Sequence, residues 1–167
     1  MGVGMLSQGR FASDLLWRSN AYLTAFRKLN CKNDVDVILP AYYMLALSCE
    51  LSLKSYLAAS GWSEKSLKTK LSHRMLDIFV ETKKEGLPEI DMLEHLVSSL
   101  ANMNESDFLR YPQSARLDSA PEPAECVKVI ETLIEKVRPK VTRAYLRSVA
   151  AEAALKKSTR DASLGKT

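Results

Sequence analysis

The sequence predicts an all-α protein, an up-and-down bundle of four to five helices, and three observations support this fold class. Apolar residues recur at intervals of three and four along several segments, which is the spacing of one helix face. No segment shows the apolar-polar alternation of a half-buried strand. The six glycines and six prolines fall mostly between these segments. With 167 residues, we expect a single domain over 1–150, and a helical extension with a disordered tail over 151–167.

The first two helices have clear limits in the sequence. Helical spacing of apolar residues predicts the first over 13–29, with Ser13 as its N-cap. The second begins near Pro40, since proline suits a first helical turn, and ends before Gly61, a favourable C-terminal residue. This second segment is apolar on more than one side, which predicts the central helix of the bundle. The polar segment 62–71 is either a loop or a short helix.

Three more helices follow. The third is predicted over 72–86 with Ser72 as its cap and Leu76, Phe79 and Val80 facing inward. Pro88 and Pro123 are predicted to open the fourth and the last helix. Pro139 should kink or divide that last helix. The long segment 104–122 has no helical period and is predicted to be a loop, a feature that in compact domains is often functional.

Composition narrows the class of protein. The net charge of +4 permits an anionic partner without requiring one. Cys31, Cys49 and Cys126 form no CxxC pair, which indicates reduced thiols rather than a disulfide framework or a zinc site. We therefore expect neither a metal nor another cofactor. The longest apolar run, 37–49, is too short to span a membrane, so we expect a cytoplasmic protein with no membrane partner.

Two charged residues interrupt the apolar second helix. Glu50 and Lys54 lie one turn apart, in the favourable order for a helical ion pair. On an outer face such a pair contributes little to stability. Inside a bundle the same charges must be paired or bound, because removing them from water is costly. The spacing alone leaves both interpretations open.

The elements around this pair resemble the HEPN family of small helical bundles, found in toxin–antitoxin, defence and nucleotidyltransferase-associated systems. The resemblance covers roughly residues 10–140 and rests on three short motifs. The matching positions are Glu50, Lys54 and Leu57, then His73, Leu76 and Phe79, then Arg110, Tyr111 and Pro112. It implies a bundle of four or five helices, frequent homodimerisation and an RNA-directed function.

The chain departs from the ribonucleases of that family, which carry Arg-x4–6-His. The permitted arginine positions before His73 hold Ser66, Leu67 and Lys68, and those before His95 hold Pro88, Glu89 and Ile90. The permitted histidine positions after Arg110 hold Ala115, Arg116 and Leu117. The resemblance therefore implies a non-catalytic module that binds a nucleotide, an RNA or a protein partner. Two alternatives stay open: a metal-independent ribonuclease with an altered site, and an adaptor for a nucleotidyltransferase-type protein.

The resemblance also implies a polar cluster of Glu50, Lys54, His73 and Arg110, with Tyr111 shaping the same region. The cluster would either fix the fold or bind a nucleotide or another anion. In the ribonuclease alternative His73 is the acid or base, and Lys68, Arg74 or Arg110 contacts the phosphate. His95, with no partner near it in sequence, is expected at the surface.

A basic stripe is predicted on the last helix from spacing alone. Its members are Lys136, Lys140, Arg143 and Arg147, with Arg138 beside them. No acidic residue interrupts 136–147. Such a stripe is either a solvated helix face or a contact surface for a phosphate backbone.

Overall fold

The computed structural model describes the backbone of residues 2–29, 37–105 and 120–164, and the side chains of 8–29, 37–103 and 120–159. All regular structure in these ranges is helical. The elements are α1 (Gly2–Lys28), α2 (Ile38–Ala59), α3 (Glu64–Ser66), a π-helical turn (Leu67–Leu71), α4 (Met75–Lys84), α5 (Leu93–Glu105) and α6 (Pro123–Leu164). The predicted all-α helical bundle is confirmed, and five of the described helices have at least ten residues.

Helix α2 is the centre of the bundle, as its apolar sequence predicts. It packs against α1, α4, α5 and α6. Leu45, Leu53 and Leu57 are fully buried on it, and so is Cys49. A helix that is covered on several sides gains most of its stability from this burial rather than from intrinsic helix propensity.

Contacts between helices fix their directions. Arg10 pairs with Glu152, and Arg27 pairs with Glu131, so α1 and α6 run antiparallel. The Tyr42 hydroxyl donates to the carbonyl of Pro121 at 2.6 Å, at the beginning of both α2 and α6. Ala58, near the end of α2, lines a cavity together with Ala144, which lies further along α6. Helices α2 and α6 therefore run in the same sense, and α1 runs against both.

Small hydroxyl side chains form the polar part of the contact between α1 and α2. Ser19, Ser48 and Ser52 are all buried. The Ser19 and Ser52 hydroxyls lie 2.6 Å apart, and Ser19 Oγ donates to the Ser48 carbonyl at 2.8 Å. One turn further along, Ser55 Oγ donates to the Ala12 carbonyl at 2.8 Å. Because each hydroxyl has a hydrogen-bond partner, burying this contact leaves none of these hydroxyls unsatisfied.

Glycines end α2 and α4 in the same way. Gly61 has φ +112°, and the amide of Trp62 donates to the Leu57 carbonyl at 3.1 Å. Gly86 has φ +84°, and the amide of Leu87 donates to the Thr82 carbonyl at 3.1 Å. Both are Schellman turns, in which glycine supplies the left-handed residue. The predicted ends of these helices at Gly61 and Gly86 are confirmed.

Four helix starts or faces differ from the sequence-based prediction. Helix α4 begins at Met75 with Arg74 rather than Ser72 at its N-cap, because Ser72 has φ +48°. Helix α1 begins at Gly2 rather than Ser13, and the part before Ser13 contacts α6 through Gly9 and Arg10. Helix α5 begins at Leu93 rather than Pro88, since Met92 has φ +60° and cannot continue a right-handed helix. On α4, Leu76 and Val80 are 39% and 48% exposed and do not face inward as predicted.

The predicted break at Pro139 does not divide the last helix, which is continuous from Pro123 to Leu164. This helix includes the predicted C-terminal extension and takes up much of the segment that was predicted as a tail; 165–167 lie outside the described residues. Measured by length and apolarity together, no helix in the described ranges could span a membrane.

Candidate functional site

Glu50 lies inside the bundle. Only 2% of the residue is exposed, although α2 is the most apolar of the helices. Lys54 Nζ lies 2.6 Å from Glu50 Oε1, and the Lys54 side chain is itself 12% exposed. The interpretation of an exposed surface pair is therefore wrong. The interior interpretation is right for these two residues, and the buried charge of Glu50 has the partner that such a charge requires.

The chain between α2 and α4 brings a third residue to this pair. The π-helical turn ends at Ser72, which has φ +48° and ψ −118°. This conformation is costly for a residue with a side chain. It directs the Ser72 carbonyl to Lys54 Nζ, which donates a second hydrogen bond there. The next residue, His73, then has its Nδ1 atom 3.1 Å from Glu50 Oε1.

The Glu50 cluster, which we define as Glu50, Lys54 and His73, therefore ties α2 to the segment before α4. Lys54 and His73 both contact the same carboxylate oxygen. The His73 side chain is 65% exposed, so its ring reaches from the buried carboxylate to solvent. This arrangement balances the charge of Glu50 internally. It also leaves an imidazole at the surface, held by a carboxylate.

The remaining members of the predicted site are not all brought together. Arg110 and Tyr111 lie outside the described residues, as does most of the predicted loop, so their place in the cluster stays a prediction. Lys68 pairs with Glu64 at 2.6 Å and Arg74 with Asp77 at 2.9 Å. Two of the three cations proposed to contact a phosphate beside His73 thus have acidic partners. His95 is exposed, as expected.

The thiols of α2 and α6 are not part of a reactive site. Cys49 and Cys126 are buried. Burial is the main reason that the pKa of each thiol is raised to about 12. A thiol that stays protonated at neutral pH is a poor nucleophile.

The stripe on α6 divides into exposed cations and one that is built into the fold. Lys136, Arg143 and Arg147 are exposed and form no ion pair with any side chain the structure describes. Lys140 instead donates from Nζ to the Glu85 carbonyl at 3.1 Å. The same Nζ lies 3.9 Å from the centroid of the Tyr56 ring. It thus stabilises the C-terminus of α4, where helix carbonyls carry partial negative charge.

The two Schellman turns bring Trp62 to the residue that this lysine contacts, Glu85. Trp62, held by the turn at Gly61, donates from Nε1 to Glu85 Oε1 at 3.0 Å. Lys70 Nζ lies 5.9 Å from the centroid of the Trp62 ring. Glu85 is thus contacted by Trp62 through its carboxylate and by Lys140 through its carbonyl. We call the surface formed by Lys70, Trp62, Lys136, Lys140, Arg143 and Arg147 the basic band.

Sequence reasoning found the stripe on α6 but missed its connection to Trp62 and Lys70. Gly61 and Gly86 predicted where two helices end, but not that the two ends meet. Sequence reasoning also missed a cavity of about 260 Å³ beside Gln8 and Arg147. Small side chains surround it, and small side chains give no functional signal in a sequence. Searches of protein-family models, curated protein sequences and solved structures return no significant match to the chain.

Proposed function

We propose that the protein is a non-catalytic RNA-binding module that contacts the phosphate backbone with the basic band. The observation that carries the proposal is the row of exposed cations on one face of α6, Lys136, Arg143 and Arg147, without a described acidic partner. The function is of the kind that the HEPN resemblance implies. The geometric support for it comes from the band and does not depend on the family.

The contrast with other surface cations strengthens this argument. Arg10, Arg27 and Lys84 each contact a carboxylate of this chain. A row of like charges without such partners is destabilised by self-repulsion, and bound anions relieve that repulsion. Along α6 the distance from Lys136 to Arg147 is about 16 Å at the usual helical rise. This length accommodates several consecutive phosphates.

The band also has an aromatic component. Trp62 is partly buried against the core, and Lys70 lies over its ring. Proteins that bind single-stranded nucleic acid commonly combine a basic groove with aromatic rings on which bases stack. Trp62 contacts Lys70 and shares Glu85 with Lys140. This arrangement fits the combination, and it favours single-stranded RNA over a compact anion as the partner.

The first test is binding of a short fluorescein-labelled single-stranded RNA, followed by fluorescence anisotropy. We expect log Kd to change with log salt concentration with a slope of about 3 in magnitude, if four cations each contact one phosphate. The double variant Lys136→Glu, Arg143→Glu should bind about tenfold more weakly or worse. Both positions are exposed, so the free energy of unfolding should be unchanged.

The matched control reverses two other lysines of the same helix, Lys156→Glu and Lys157→Glu. Both are exposed, and the change in net charge is identical. This control should retain most of the affinity. Equal losses in the two double variants would mean that only net charge matters, and absent or salt-independent binding would remove the proposal.

A second candidate function is RNA cleavage, and the Glu50–His73 contact is the observation that favours it. A carboxylate on Nδ1 orients an imidazole for proton transfer through its other nitrogen, and the His73 ring reaches solvent. The test is cleavage by the purified protein beside His73→Ala. Cleavage that is lost in the variant would establish an enzyme, whereas a folded wild type that does not cleave leaves the binding module.

A further inference from the structure

We propose that the cavity at the end of α2 binds a small monocarboxylate with an apolar body. The cavity has a volume of about 260 Å³ and lies between α1, α2 and α6. The lining residues on which the argument depends are Gln8, Ala58, Ala59, Ala144, Arg147 and Ala151.

The cavity exists because one helix ends while its neighbours continue. Helix α2 stops at Ala59, followed by the turn at Gly61. Level with this last turn α1 and α6 are in contact, since the Gly9 amide donates to Ser148 Oγ at 3.1 Å and Arg10 pairs with Glu152, and both helices continue past it. No described residue covers the third side of this helix pair. Alanines around the gap are too small to fill it, so an apolar-walled space remains.

The polar part of the cavity contains the Ser148 hydroxyl, which is hydrogen-bonded to Gly9 and Ala144, and two nitrogen donors. Gln8 Nε2 is buried and has no hydrogen-bond partner among the residues that the structure describes. A buried donor without a partner is costly, which is why such atoms are rare in native proteins. Arg147 lies in the same lining, is exposed, and forms no ion pair with a described residue. A neutral donor beside a guanidinium is suited to a ligand with negatively charged acceptor oxygens.

The walls decide which anion fits. A cavity of about 150 Å³ lined by apolar side chains holds benzene, so the larger space here accommodates a ring or a short acyl chain together with a carboxylate. Inorganic phosphate would meet the donors but leave the alanine walls wet. The phosphate backbone of an RNA would pass over Arg147 without filling the space beneath it.

The experiment titrates the full-length protein with benzoate and with octanoate, using isothermal titration calorimetry to measure Kd. Benzyl alcohol has the body without the charge, and inorganic phosphate has the charge without the body. We expect saturable binding of the carboxylates, and binding of both comparators that is weaker by about tenfold or more. Equal affinity for phosphate, or no saturable binding of either carboxylate, would overturn the proposal.

Variants locate the binding at the cavity. Ala151→Leu should block it and abolish binding, whereas Ala150→Leu, on the same exposed helix but outside the lining, should leave Kd unchanged. Gln8→Met should weaken binding about tenfold while leaving the Tm equal or higher, because it removes an unpaired buried donor. A wild-type Kd in Ala151→Leu would contradict the proposed site. All three variants retain the cations of the basic band, so this test is independent of RNA binding.

Discussion

The Glu50 cluster and the basic band show the same pattern in the sequence but differ in the structure, because the Glu50 carboxylate is buried and most of the band is exposed. Each contains charged residues at intervals of three or four on a long helix. Glu50 and Lys54 are covered by the segment before α4 and neutralise each other. Lys136 and Arg143 are covered by nothing in the described part of the chain and keep their charge. What packs opposite a helix therefore decides whether a charge supports the fold or faces a partner.

The strongest test of this comparison removes one charge from each region. Lys54→Met leaves the Glu50 carboxylate buried without its cation, and we expect a loss of about 3 kcal/mol in the free energy of unfolding. Arg143→Met, at an exposed position, should change the same quantity by less than about 0.5 kcal/mol. Urea denaturation followed by circular dichroism measures both.

The double variant Glu50→Leu, Lys54→Met tests the reason for this effect. If the cost arises from an uncompensated buried charge, removing both charges should recover much of the stability lost in Lys54→Met. A Lys54→Met protein as stable as the wild type would show that Glu50 is not isolated from solvent. In that case the contrast between the two regions would fail.

Lys140 is part of the basic band and also supports the fold, so it tests the comparison within one residue. Lys140→Met should lower the free energy of unfolding by about 1 kcal/mol, because it removes the contact with the C-terminus of α4 and the contact with the Tyr56 ring. It should also weaken RNA binding. Arg143→Met should weaken RNA binding without the loss of stability. Equal stability of the two variants would place Lys140 with the purely exposed cations.

The last prediction concerns Cys49 and Cys126, the buried thiols of α2 and α6. In the Cys31→Ser background, Cys49 and Cys126 should react with a disulfide reagent at pH 8 only through unfolding. Raising the pKa from 9.0 to about 12 lowers the thiolate fraction about a thousandfold. Because the folded-state pKa is the raised one, the stability contributed by each thiol is complete below pH 9 and is lost as the pH approaches 12.

Reaction kinetics provide the measurement. Two equivalents of thiol should react promptly in denaturant and slowly without it. Prompt reaction of Cys49 in the native protein would mean that the core next to Glu50 opens readily, and it would weaken the description of the cluster as buried.

Much of the scaffold was predictable from sequence, because α2 and α6 have long apolar patterns and because glycine has a specific role at two helix ends. The buried face of α4 was not predictable from sequence. The apolar residues of this short helix lie on more than one of its sides. Only packing against the rest of the bundle buries Met75, Ile78 and Phe79 rather than Leu76 and Val80.

For the site, spacing gave Glu50 with Lys54, and the resemblance added His73. The alternative of an exposed pair could be rejected only from the burial of Glu50 and Lys54 in the structure. The contact of Lys70 with Trp62 depends on how two separate turns meet, and the cavity depends on where side chains are small. Neither property has a local sequence pattern.

The pairing of α1 with α6 has a consequence for how the chain folds during synthesis. Arg10 and Glu152 are 142 positions apart, and closing a loop of that length costs roughly 4 kcal/mol of chain entropy. The serine contacts between α1 and α2 need only a short loop and can form first. At ribosomal speeds, roughly 5 to 20 seconds then pass before the facing part of α6 is made. During that interval the first two helices would expose the apolar surface that α6 later covers, which makes the nascent chain a substrate for chaperones.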